Sequence, residues 1–164
     1  ITPKWILFGN LEVGYGNSYG GRFDSLPFFE NFYSGGVRSV RGFRDNTLGP
    51  RLVTNCVDRR TPADCPLLPV GGALNLLANL ELIIPTPEKT ADNFRLSAFI
   101  DAGNVFVDLD SFSAKDVRYA AGLSVQWLAP ISPQPIQINL AWPLNSKEGD
   151  ERDGPLQFSF GTNF

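Results

Sequence analysis

Leu74-Asn75-Leu76-Leu77-Ala78-Asn79-Leu80-Glu81-Leu82-Ile83-Ile84 decides how the rest of the chain is read. It is the longest apolar candidate in the sequence, yet Asn75, Asn79 and Glu81 break it well short of the roughly 18 apolar residues of a membrane-spanning helix. Its even positions, Leu74, Leu76, Ala78, Leu80, Leu82 and Ile84, are all apolar, and every polar residue falls on an odd position. Period two marks a strand with one apolar face. The pattern recurs in both directions. Trp5, Leu7, Gly9, Leu11, Val13 and Tyr15 alternate with Asn10 and Glu12. Leu96, Ala98, Ile100 and Ala102 alternate with Arg95, Ser97, Phe99, Asp101 and Gly103. Further alternating stretches run from Val117 to Trp127, from Ile136 to Trp142 and from Leu156 to Phe164.

The spacing predicts an all-β, antiparallel protein of about six long strands, each about nine to thirteen residues. Strands in ordinary sheets run about five to six residues, whereas a tilted transmembrane strand needs about 9–11. Trp5, Tyr15, Trp127, Trp142 and Phe164 lie near the ends of the apolar faces, where interfacial aromatics collect. A soluble sandwich or lipocalin-like barrel also alternates, with its apolar face inward. Strand length and terminal aromatics favour a transmembrane β-barrel fragment.

Composition agrees once the parity is seen. The 164 residues carry 14 Lys and Arg against 17 Asp and Glu, a net charge of −3. The mean hydropathy of −0.08 is what half-polar strands give. With no His, imidazole-based catalysis and imidazole metal sites are excluded. There is also no Gly-rich phosphate loop between a strand and a helix, so no enzyme is expected and no cofactor. The absence of a basic stripe argues against nucleic acid as a partner. With no Met, position 1 is not expected to be a native start, and the chain reads as a piece of something longer or a processed product.

The connections are unequal. Pro85-Thr86-Pro87 and Ala129-Pro130-Ile131-Ser132-Pro133 are short turns at one end. At the other end lie 108–115, 145–153 and one very long loop, 17–71. Short periplasmic turns and longer outer loops are the outer-membrane arrangement, which puts the long loop outside the cell and the C-terminus on the periplasmic side. The long loop holds Phe28-Phe29-Glu30-Asn31-Phe32-Tyr33-Ser34-Gly35-Gly36-Val37-Arg38-Ser39-Val40-Arg41-Gly42-Phe43-Arg44, too aromatic for a solvated tether and expected to pack against the barrel interior. Cys56 and Cys65 lie in the same loop. In an extracytoplasmic loop they read as one disulfide closing a ring of about ten residues, worth roughly 2–3 kcal/mol; two free thiols are the alternative. Six strands leave two unpaired edges, so the fragment is expected to self-associate, for example as a dimer closing a twelve-strand barrel.

Val40-Arg41-Gly42-Phe43 inside such a loop resembles the signature of the BamA-type outer-membrane assembly and translocation proteins. Leu80-Glu81-Leu82-Ile83-Ile84-Pro85-Thr86-Pro87, Phe99-Ile100-Asp101-Ala102-Gly103-Asn104-Val105-Phe106 and Trp127-Leu128-Ala129-Pro130 are similar to strands that follow the loop in that family. The ordered succession covers the whole chain and corresponds to the last six strands of the family barrel, so 1–164 is read as the C-terminal portion of the barrel domain. The paired loop cysteines favour the assembly-factor branch over its secretion-porin relatives.

The resemblance implies that the loop folds into the lumen and that Arg41 meets acidic residues of the wall. Parity independently puts Glu81 and Asp101 on the inward face of consecutive strands, where one guanidinium could fork across both carboxylates. A solvated loop charge is the ordinary alternative for Arg41. Arg38 and Arg44 could reach lipopolysaccharide phosphates or other lumen acids, or be exposed charges. The terminal segment 154–164, with Phe158, Phe160, Gly161 and Phe164, resembles the β-signal by which outer-membrane proteins are recognised. The implied function is folding and insertion of β-barrel clients into the outer membrane. Its implied partners are membrane lipid and lipopolysaccharide, unfolded clients, and accessory lipoproteins that bind the periplasmic domains. The alternatives are a two-partner secretion porin or other paralogue, and a passive pore or adhesin.

Overall fold

The computed structural model describes residues 5–18, 26–53, 67–87, 93–128, 134–147 and 149–161. Cys56 and Cys65, and Phe164 of the β-signal, lie outside the described residues.

Six strands form one antiparallel sheet: β1 (Ile6–Tyr15), β4 (Leu74–Ile84), β5 (Phe94–Phe106), β6 (Arg118–Trp127), β7 (Ile136–Pro143) and β8 (Leu156–Phe160). Their spatial order is their chain order, β1-β4-β5-β6-β7-β8, interrupted only by the long loop between β1 and β4. The sheet is open, with β1 and β8 at its edges. Two short strands inside the long loop, β2 (Arg51–Val53) and β3 (Leu67–Pro69), pair with each other as a separate ribbon. The sequence reading of six strands therefore missed two, because three residues are too few to display a period. Two strands fall short of the expected nine to thirteen residues: β7 has 8, and β8 has 5, with 162–164 outside the described residues. No helix among the described residues is long and apolar enough to cross a membrane, which leaves crossing by strands untouched.

Parity holds in register across the sheet. Leu7, Leu11 and Val13 of β1, Leu80 and Leu82 of β4, Ile100 of β5, Leu123 of β6, Leu140 and Trp142 of β7, and Phe158 and Phe160 of β8 are exposed on the outer face. Near the Pro-turn end, Phe94 and Trp127 are register partners and stack with ring centres 5.9 Å apart. The inner face is mostly polar or small, with Leu77 and Phe99 among its larger apolar residues. One row across it reads Glu81, Phe99, Gly122, Ala141; the adjacent row reads Asn79, Asp101, Ala120, Pro143. The buried apolar cluster is not between layers of secondary structure. It lies where Val40, Phe43 and Leu48 of the long loop settle onto Leu77 and Ala120 of this inner face.

Candidate functional site: the loop motif on the inner wall

A tight turn presents the motif. The Gly36 N–H donates to the Val40 carbonyl at 3.2 Å, the Ser39 N–H to the Gly36 carbonyl at 3.1 Å, and the Gly35 N–H to the Ser39 hydroxyl at 2.8 Å. Val40 and Phe43 are completely buried. Gly42, at φ +87°, takes a backbone conformation that costs other residues about 1–2 kcal/mol. A Cβ there would also press on Pro143 and Ala141 at 3.1–3.3 Å, so the motif backbone lies directly on β7. Gly103 of β5 likewise leaves space for Val40.

Arg41 is buried, and its guanidinium forks onto one carboxylate. Nε donates to Asp101 Oδ2 at 2.7 Å and Nη2 to Oδ1 at 2.8 Å, while the Arg41 backbone N–H donates to Oδ2 at 3.1 Å. Asp101 is wholly buried and also accepts from Asn79 Nδ2 at 2.9 Å. The same Asn79 nitrogen donates to the Ser39 carbonyl at 2.8 Å, tying the turn to β4. Glu81 stands farther off: its Oε2 lies 3.8 Å from Arg41 Nη1, an ion pair without a hydrogen bond. The guanidinium thus meets both acids named from the sequence but does not straddle them. Asp101 takes the fork because it lies in the row under the turn, while Glu81, one row toward the Pro-turn end, accepts a very short hydrogen bond from Ser97.

Two neighbours escaped the sequence reading. The Phe99 ring lies under the guanidinium, 3.4 Å from its carbon to the ring centre, and occupies the space over Gly122. Its signal was an aromatic on the polar parity of β5. Gln157 of β8 reaches the motif backbone, accepting from the Gly42 N–H at 2.8 Å and donating to the Phe43 carbonyl at 3.3 Å. Of the flanking arginines, Arg44 pairs with Glu151 at 2.6 Å, and Arg38 lines a cavity of about 150 Å³ beside Arg41, with Glu81, Arg95, Gln126 and Gln137.

A second charged cluster binds the loops together at the long-loop end. Asp150, in the connection from β7 to β8, pairs closely with Arg118 of β6 and at 3.5 Å with Arg51 of β2. Nearby, Lys147 pairs closely with Asp116 and holds its carboxyl below the usual carboxylate range. Among the described residues no group of acids and cysteines is arranged to hold a metal ion.

The Omp85 superfamily domain matches residues 1–164. The chain belongs to the Omp85 superfamily. It is 35% identical, over its whole length, to the outer membrane protein assembly factor BamA of Neisseria meningitidis serogroup B, and 27% identical to that of Nitratidesulfovibrio vulgaris. The fold is similar to the crystal structure of BamA from Haemophilus ducreyi lacking POTRA domains 1–3, with a TM-score of 0.78 and 31% identity over 94% of this chain. The chain spans about a fifth of the curated relatives, 22% and 19%, and 31% of the crystallised one. Within this Omp85 match, the sheet carries the loop motif on its inner face.

Proposed function

We propose that this segment is the C-terminal part of a barrel that folds and inserts β-barrel proteins into the outer membrane, and that Arg41 locks the long loop to the barrel wall. Clients would add strand by strand to a templating edge, with no nucleotide hydrolysis and no catalytic residue. The bidentate Arg41–Asp101 pair is the observation that carries this reading, because a buried fork holds a loop in one geometry where a surface charge would not. The names of the relatives support the same function. The long loop lies at the extracellular end, the C-terminus at the periplasmic end, and the exposed apolar face against lipid. Unfolded barrel clients, lipopolysaccharide and accessory lipoproteins bound through other parts of the protein are the partners of this reading. Phe158, Phe160 and Gly161 would serve as part of the β-signal through edge pairing. An isolated 1–164 chain, with edges at β1 and β8, would pair those edges between copies, and a purely monomeric mass in detergent would refute that.

The test is a charge series in the full-length protein. Arg41→Glu should abolish complementation and slow client folding, and Asp101→Arg on that background should restore part of both. Wild-type behaviour of Arg41→Glu would refute the lock. Retained polypeptide export without client insertion would instead favour a secretion porin.

A further inference from the structure

We propose that Gln157 is a positioning residue that hitches the edge strand β8 to the motif turn, so that the Arg41 lock on β5 and the order of β8 are coupled. The inference rests on Arg41 acting as the lock proposed above. It begins with the weakness of β8: the shortest strand of the sheet, five residues, paired on one side only. Its outer face carries the exposed Phe158 and Phe160, and its inner face carries Gln157, which is buried.

The Gln157 side chain does what a neighbouring peptide group would do. Its Oε1 accepts from the Gly42 N–H at 2.8 Å, and its Nε2 donates to the Phe43 carbonyl at 3.3 Å and to Asp153 Oδ2 at 3.1 Å. The backbone leading into β8 makes the same connection by its own groups. Arg44 donates to the Glu151 carbonyl at 3.0 Å, Asp153 donates to the Gly42 carbonyl at 3.2 Å, and Phe43 bridges antiparallel to Arg152. Where the main chain then turns away into β8, Gln157 continues the pairing.

A line of direct bonds therefore runs from Asp101 to Arg41, through the adjacent Gly42 and Phe43, to Gln157. It passes over β6 and β7 rather than through their ladders. Glutamine suits this place because its amide offers an acceptor and a donor side by side. Glutamate would lack the donor and would face Asp153, and leucine would leave the Gly42 N–H and the Phe43 carbonyl buried without these partners. A coupling carried by this network is reciprocal, so loosening the lock loosens β8 and loosening β8 loosens the motif turn.

Hydrogen–deuterium exchange of the full-length protein in detergent reads the coupling without any client. Gln157→Leu should speed exchange about tenfold in both 42–44 and 156–161, within the range usual for coupled sites, while 98–102 stays protected. Gln157→Asn, which keeps both polar groups on a shorter stem, gives the same readout if the leucine variant does not fold. The decisive variant is Asp101→Asn, which lies three strands from β8. Faster exchange in both 41–44 and 156–161 supports the coupling. Loosening of 41–44 alone overturns the coupling and leaves the lock standing. No change in either segment overturns the lock itself and the coupling with it.

Discussion

Arg41 stacks over Phe99, its guanidinium carbon 3.4 Å from the ring centre, while the same guanidinium forks onto Asp101. The ring is the floor of the ion pair. It removes water from beneath the guanidinium, and it covers Gly122, whose missing side chain makes the room. An aromatic face under a desolvated cation contributes about 2 kcal/mol. Phe99→Leu should therefore lower the stability of the folded barrel by about that amount. Asp101→Asn, which leaves the buried cation only the more distant carboxylate of Glu81 at 3.8 Å, should cost more, about 3–5 kcal/mol. Heat-modifiability midpoints on the full-length protein would rank the two. A larger effect from Phe99→Leu would mean that packing, not charge, holds the loop.

At Gly42 the motif backbone passes directly over β7. Gly42→Ala combines the left-handed conformation, about 1–2 kcal/mol, with contacts of 3.1–3.3 Å to Pro143 and Ala141. The variant should insert but hold its loop less tightly, and cleavage between 35 and 48 by an added protease should accelerate. An unchanged cleavage rate would show that the turn can shift without strain.

Asp150 joins β6, the β2–β3 ribbon and the connection into β8. Asp150→Asn leaves Arg51 and Arg118, both largely buried, sharing no carboxylate there, and should cost about 3 kcal/mol. Proteolysis in the β7–β8 connection and in the loop around 51 should rise together. The exposed Asp110→Asn control should stay within about 0.5 kcal/mol of wild type.

The Asp116–Lys147 pair carries a pH dependence of defined sign. The hydrogen bond from Lys147 is the main cause of the lowered Asp116 carboxyl, opposed by partial desolvation. A lowered carboxyl stabilises the folded state above the ordinary carboxylate range and loses that contribution as pH falls through the lowered value. The pair is exposed, so its effect should shrink in salt. Carbon-detected NMR titration of Asp116 should show a depressed midpoint that moves back up in Lys147→Met. A midpoint unmoved by that substitution would show that Lys147 is not the cause.

Much of the site was legible because the strand period is two. Asp101 and Glu81 shared an inward parity with Ser97, Phe99 and Gly103, so the wall facing the loop could be written down in advance. The role of Phe99 was not legible, since an aromatic on a polar face names no partner. Nor was the division of labour between the acids, because it depends on which row lies beneath the turn at 36–40. The Asp150 cluster gave no signal at all: its charges come from three connections and a strand start with no shared period.

Residue alternation by itself located the six sheet strands and divided each into an apolar and a polar face, because both follow from local geometry repeated every second residue. The motif spelled out which segment of the long loop was special. Only the tertiary structure decided where that segment lands: on Gly103, Ala120 and Ala141, small residues from three strands whose adjacency exists only in register. It also decided that Gln157, distant in sequence, completes the backbone of Gly42 and Phe43. Contacts between residues more than a hundred positions apart are set by the closing of the loop onto the sheet, and no local pattern encodes that distance.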